Sequence, residues 1–168
     1  EAATETGGNI IVLAESSKNQ YRFGMPGTEV SESEWKQILK AAETINDAEF
    51  IIASGSLPPG VPLNIYAQLA KIVKNNNAKF IVDTSGGALK PAVDEGVYLL
   101  KPNLGELSSL AGKKELLPEE VKEVAASIIA NGKCEVMVVS MGAAGAMLVT
   151  KDGSVMITPP SVERKSTV

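Results

Sequence analysis

The sequence predicts an α/β protein built around a parallel sheet, and three observations carry that prediction. Aliphatic runs of three to five residues alternate with longer segments whose apolar residues recur at three- and four-residue spacing. Aromatic residues make up 4% of the chain against 44% hydrophobic residues overall, so the core is aliphatic, as suits a buried parallel sheet. Polar and glycine-rich segments follow the carboxyl ends of the apolar runs, where sheets of this kind receive their ligands.

Taken in order, Asn9–Ala14 and Gln20–Phe23 read as two short strands joined by a polar turn, a hairpin that needs a partner surface. Ser31-Glu32-Ser33-Glu34 is a capping box opening a helix whose inner face is Trp35, Ile38, Leu39, Ala42 and Ile45. Phe50–Ala53 is a strand with Ser54–Gly60 as its exit loop. A second helix starts near Pro62, carries Ile65, Leu69, Ile72 and Val73 inward, and ends at Asn75-Asn76-Asn77. The unit repeats. Phe80–Val82 ends at Asp83 and leads to a short helix around Ala88–Glu95. Tyr98–Leu100 ends at Lys101-Pro102-Asn103 before a helix around Glu106–Leu110. Pro118-Glu119-Glu120 opens a helix that turns Val121, Val124, Ala125, Ile128 and Ile129 inward. Val136–Val139 is the next strand, and Ala146–Thr150 with Val155–Thr158 form a terminal antiparallel hairpin. Alternating strands and helices imply βα units with right-handed crossovers.

Composition excludes several chemistries. There is no histidine among the 168 residues, which removes Ser-His-Asp triads, Cys-His pairs and histidine zinc sites. The single cysteine, Cys134, reads as a small buried or boundary residue and suits a reducing, cytoplasmic compartment. Sixteen basic against 20 acidic residues, a formal charge of −4, argue against nucleic acid or an anionic membrane as partner. The longest apolar stretch, Val136 to Val149, is 14 residues and is broken by Gly142 and Gly145, short of a membrane span.

Four strand ends carry the unusual residues: Ser54-Gly55-Ser56, Asp83-Thr84-Ser85-Gly86, Lys101-Pro102-Asn103 with Glu106, and Ser140-Met141-Gly142 with Gly145. Lys101, beside a rigid proline, is placed either to reach a phosphate or to sit solvated at the sheet rim. Asn103 and Glu106, three apart at a helix start, share a face; they suit either a helix cap or a water-rich Mg²⁺ site, and one carboxylate can serve both. The turn from Ser140 to Gly145 offers backbone amides to an anion or a purine, or is simply a tight connection. Asp83, at a strand tip, suits either a catalytic role or, foremost, fixing its own loop by hydrogen bonds. Walker and dinucleotide-binding glycine fingerprints are both absent from the sequence.

Together, Tyr21-Arg-Phe-Gly-Met-Pro-Gly27, Ser54-Gly-Ser-Leu-Pro-Pro-Gly60, Asp83-Thr-Ser-Gly86, Lys101-Pro-Asn-Leu-Gly-Glu106, Val139-Ser-Met-Gly-Ala-Ala-Gly145 and the tail Pro159-Pro160…Ser166-Thr167-Val168 resemble the ribokinase-like, PfkB-type sugar kinases. The likeness is to the branch containing phosphofructokinases and tagatose-6-phosphate kinases, and most to the minor bacterial 6-phosphofructokinases. It implies a three-layer sheet with flanking helices (28–168), plus part of a small β lid (1–27) that covers the sugar and pairs two subunits into a homodimer. It implies Mg²⁺ near Asn103 and Glu106, ATP near Lys101, Ser140, Gly142 and Gly145, and the sugar phosphate near Ser54, Gly55 and Ser56. The implied reaction is ATP-dependent phosphorylation of fructose 6-phosphate to fructose 1,6-bisphosphate. Tagatose 6-phosphate or fructose 1-phosphate as substrate, or a non-catalytic nucleotide-binding or oligomer-forming role, are the alternatives.

The departures are equally specific. The family's glycine-rich anion hole and general-base aspartate follow its serine-threonine-valine segment, so the resemblance puts them beyond Val168. Its G-G-K-G-x-N loop would precede Glu1, and Gly7-Gly8 stand near where the family commonly has a phosphate-gripping arginine. The chain is therefore expected to be the central half of such a kinase and to be inactive alone.

Overall fold

The computed structural model describes residues 8–17, 19–25 and 27–160. Gly7, Pro26 and Ser166-Thr167-Val168, which figured in the resemblance, lie outside the described residues.

The described residues form two sheets. Strands β1 (Asn9–Leu13) and β2 (Gln20–Gly24) form an antiparallel pair, and six further strands form a second sheet in plain sequence order. These are β3 (Phe50–Ser54), β4 (Lys79–Asp83), β5 (Val97–Leu100), β6 (Cys134–Ser140), β7 (Ala146–Thr150) and β8 (Gly153–Ile157). The pairings β3–β4, β4–β5 and β5–β6 are parallel, whereas β6–β7 and β7–β8 are antiparallel. The terminal hairpin read from the sequence is thus the antiparallel end of a mixed sheet.

The described residues also form five α-helices: α1 (Glu32–Glu43), α2 (Ile65–Asn75), α3 (Leu89–Glu95), α4 (Leu104–Leu110) and α5 (Val121–Ala130). The capping box expected for α1 forms: the Ser31 N–H donates to Glu34 Oε2 at 2.8 Å while Ser31 Oγ accepts from the Glu34 N–H at 3.4 Å. Pro62 lies one turn ahead of α2, its carbonyl accepting from the Ile65 N–H at 3.0 Å. At the other end of α2, the Asn76 side-chain amide donates to the carbonyls of Ala42 (3.0 Å) and Ile45 (2.8 Å). One asparagine thereby ties the end of α2 to the carbonyl end of α1, adding to the main-chain bonds that already close that helix.

Because the parallel strands advance in one direction, right-handed crossovers put their helices on one face of the sheet. The buried core agrees. Phe80, Val82, Leu100, Met137, Val139 and Val149 point one way and join Ala42, Val73, Leu89, Ala92, Leu107, Val121 and Ala125 from the helices in a single cluster. Full burial of a side chain such as Leu100 or Leu107 contributes about 1.5–3 kcal/mol. The alternate residues Ile52, Ile81, Leu99, Val136, Val138, Leu148, Val155 and Ile157 share the opposite face by register, and Ile52 remains 66% exposed. Among the described residues no helix covers that face, so the second helical layer of the expected three-layer arrangement is not supplied by them. The longest of these helices has 12 residues, and none is long and apolar enough to cross a membrane.

Cys134 begins β6 and is 4% exposed. Burial pushes its thiol up from an ordinary 9.0 to about 11, because the apolar surroundings disfavour the thiolate. The folded chain thus holds this proton more tightly than the unfolded one. The resulting stabilisation is present below about pH 9 and is lost as the pH rises through 11. At pH 8 the native thiol is expected to react with iodoacetamide about a hundredfold more slowly than in denaturant, since reactivity follows the thiolate fraction. Equal rates in the two conditions, read by mass spectrometry, would contradict the buried placement.

Candidate functional site

The parallel order β3-β4-β5-β6 brings the four unusual strand ends to one edge of the sheet. With strands about 4.8 Å apart, the row from β3 to β6 spans about 15 Å. Ser54 ends β3, Asp83 ends β4, Lys101 follows β5, and Ser140 ends β6.

The first pair of ends is knotted by hydrogen bonds. The Gly55 N–H donates to the Asp83 carbonyl at 2.9 Å, and the Gly55 carbonyl accepts from both Tyr66 Oη and Thr84 Oγ1 at 2.9 Å. Tyr66 and Thr84 are buried, so these bonds also satisfy hydroxyls that would be costly to leave unpaired. Downstream, Gly60 (φ +87°) packs so close to the segment entering α1 that a Cβ would stand 2.2 Å from the Val30 carbonyl. The Val30 N–H also donates to Pro59 at 2.8 Å. The chain leaving the β1–β2 hairpin is therefore pinned to the loop that carries Ser54, Gly55 and Ser56.

The Asp83 carboxylate reaches across to the next strand end instead of closing its own loop. Its Oδ1 lies 3.2 Å from Lys101 Nζ, with the two side chains 39% and 45% exposed. Thr84, Tyr66 and the Asp83 main chain hold the loop, a division of labour that differs from the expectation for Asp83.

Asn103 and Glu106 form a reciprocal cap on α4. Asn103 Oδ1 accepts from the Glu106 N–H at 2.9 Å, and Glu106 Oε2 accepts from the Asn103 N–H at 2.9 Å. The capping reading is thus realised in the geometry. Among the described residues Glu106 Oε1 takes no hydrogen bond, which leaves a carboxylate oxygen for a hydrated cation. No three His, Cys, Asp or Glu side chains gather into a metal cluster among the described residues. The donor set fits Mg²⁺, which keeps most of its waters and needs only one or two protein carboxylates.

Ser140 is tied to the same loop, its N–H donating to the buried Pro102 carbonyl at 2.9 Å. In the turn that follows, the amides of Met141, Ala144 and Gly145 are used internally, by Gly145, Met141 and Gly142 carbonyls at 2.8, 3.2 and 3.1 Å. An anion at this turn would draw on the leading amides, Gly142 and Ala143, which a helical turn leaves without internal partners. Gly145 adopts φ +99°, and a Cβ there would meet the Ile157 carbonyl at 2.0 Å. Only glycine permits this close approach of the turn to β8.

The fold and the edge describe an α/β protein whose strand ends hold small, polar and charged groups in one row, and the chain belongs to the pfkB family of carbohydrate kinases, whose model matches residues 1–168. It is 38% identical to the ATP-dependent 6-phosphofructokinase isozyme 2 of Escherichia coli, over 100% of this chain and 55% of that protein. It is 37% identical to the 1-phosphofructokinase of Rhodobacter capsulatus, over 71% of this chain and 38% of that protein. A crystal structure of E. coli phosphofructokinase-2 in complex with substrates and products superposes with a TM-score of 0.87, covering 95% of this chain and 52% of that one. The chain thus spans about half the length of the relatives it matches.

Replacement of Asn103 by Ala is expected to cost about 1 kcal/mol through loss of the α4 cap. Glu106→Gln is expected to cost less, because its amide oxygen still accepts from the Asn103 N–H. Urea denaturation of the two variants checks the order, and equal losses would show that the Glu106 charge itself stabilises the helix.

Proposed function

We propose that the protein of which this chain is a part transfers the terminal phosphoryl group of ATP to fructose 6-phosphate, giving fructose 1,6-bisphosphate. The observation that carries this reading is the match to the E. coli 6-phosphofructokinase isozyme 2, which is 38% identical along the whole chain. The row of strand ends supports it by giving each reactant its own stretch of the edge. Ser54, Gly55 and Ser56 bind the sugar phosphate at β3. Lys101, Ser140, Gly142 and Gly145 bind the nucleotide at β5 and β6.

Within this assignment the chain's residues position charge. The Lys101 ammonium attracts the nucleotide phosphates, and the turn at Gly142 offers dipoles to a developing anion. Asn103 fixes the start of α4 and so aims the Glu106 carboxylate, and these two residues would hold Mg²⁺. When bound, Mg²⁺ neutralises charge on the transferred group. The sugar hydroxyl must surrender a proton to a general base; we assign none to residues 1–168 and place that group elsewhere in the polypeptide.

A coupled ADP-release assay on the full-length protein with Mg-ATP is the test, comparing fructose 6-phosphate, tagatose 6-phosphate and fructose 1-phosphate. At least a tenfold advantage in kcat/KM for fructose 6-phosphate is expected. A tenfold preference for either rival would reassign the substrate, and no transfer to any sugar phosphate would overturn the kinase reading.

The hairpin supports a further part of the reading, a homodimer. Ile10 pairs with Phe23 and Val12 with Tyr21, which places four apolar side chains on one face of the two-stranded sheet, each about half exposed. A two-stranded sheet of this kind is marginal without a covering surface, and a second copy supplies one. Light scattering of the full-length protein is expected to show a dimer that Phe23→Asp converts to a monomer. A wild-type monomer at micromolar concentration would remove this part of the proposal.

A further inference from the structure

Among the described residues Asp83 bonds to both halves of the edge, and it does so with different atoms. Its carbonyl oxygen holds Gly55 at 2.9 Å, on the stretch assigned to the sugar phosphate. Its carboxylate holds Lys101 at 3.2 Å, on the stretch assigned to the nucleotide. Thr84 and Tyr66 reinforce the first contact, so the side chain of Asp83 is not needed there. Among the described residues no other carboxylate lies within 4.0 Å of Lys101 Nζ. A lysine on a flexible four-carbon stem, nearly half exposed, otherwise samples solvent and must be ordered when a phosphate arrives.

Resting on the kinase reading above, we propose that Asp83 is a positioning residue for the nucleotide, holding the Lys101 ammonium at the edge before ATP binds and acting on ATP only through that lysine. Its carboxylate therefore contributes to nucleotide affinity and not to sugar-phosphate affinity. Main-chain contacts secure the sugar side whatever the side chain at position 83.

A double-mutant cycle on the full-length protein tests this. ATP binding is measured by titration calorimetry without divalent cations, for the wild type, Asp83→Asn, Lys101→Met and the double variant. Partly exposed ion pairs of this kind are modest, so Asp83→Asn is expected to weaken ATP binding about two- to fivefold. The double variant should match Lys101→Met alone. The KM for the sugar phosphate should be unchanged in Asp83→Asn, and Asp83→Glu, which keeps the charge, should recover part of the ATP affinity. If Asp83→Asn does not fold, Asp83→Ser retains the main-chain bond to Gly55 and carries the same comparison.

An equal further loss from Asp83→Asn in the Lys101→Met background would overturn the proposal. So would unaltered ATP binding by Asp83→Asn, or a defect that raised Mg²⁺ cures and raised ATP does not. ATP binding without transfer to any sugar phosphate would overturn the kinase reading while leaving the Asp83–Lys101 coupling to the cycle. No ATP binding by the wild type would overturn both.

Discussion

The candidate site depends on the register of β4 against β5. Ile81 stands beside Leu99 and Val82 beside Leu100, so the next residues, Asp83 and Lys101, leave the sheet side by side. The register is set by burial. Val82 and Leu100 lie fully buried under the helices, while Ile81 and Leu99 turn to the other face. A slip of one residue would exchange the two sets and put the helix-facing positions on the wrong side. The same slip would carry the lysine away from its carboxylate. Hydrophobic packing therefore places the charged groups, and the ion pair follows from it.

Much of the frame was legible in the sequence because it is local. The Ser31–Glu34 box, the strand ends at Asp83 and Lys101, the glycine turn after Ser140 and the final hairpin each announce themselves within a few residues. Strand limits differed by one or two positions, as where β6 begins at Cys134 and not at Val136, because strand ends are settled by a neighbour's hydrogen bonds. What was not legible is tertiary. Nothing near Asp83 in sequence points to Lys101, 18 positions on, and Tyr66 looks like one more residue of an amphipathic helix until its hydroxyl is found on Gly55. A buried tyrosine does call for a hydrogen-bond partner, but the sequence alone does not name one.

The two readings of Asn103 and Glu106 turn out to be compatible in geometry. The cap uses one oxygen of each side chain and fixes their rotamers at the start of a seven-residue helix. A carboxylate held in this way loses little further freedom when it takes a hydrated cation. Local helix stability and the proposed binding chemistry thus draw on the same two hydrogen bonds, and a change at either residue bears on both.

The margin of the main sheet at β3 bears on how the polypeptide is handled outside its finished fold. β3 is the terminal strand of the described sheet, and the register leaves Ile52 on the uncovered face beside Ile81. A strand with unpaired backbone groups along one side and aliphatic side chains on an open surface is a template for any extended segment that meets it. Until covered, it recruits strands from other copies as readily as from its own polypeptide. The stretch from β3 to β8, taken alone, is therefore a β-aggregation hazard at high concentration. Charged or proline substitutions along β3 are the physical remedy for a soluble isolated segment.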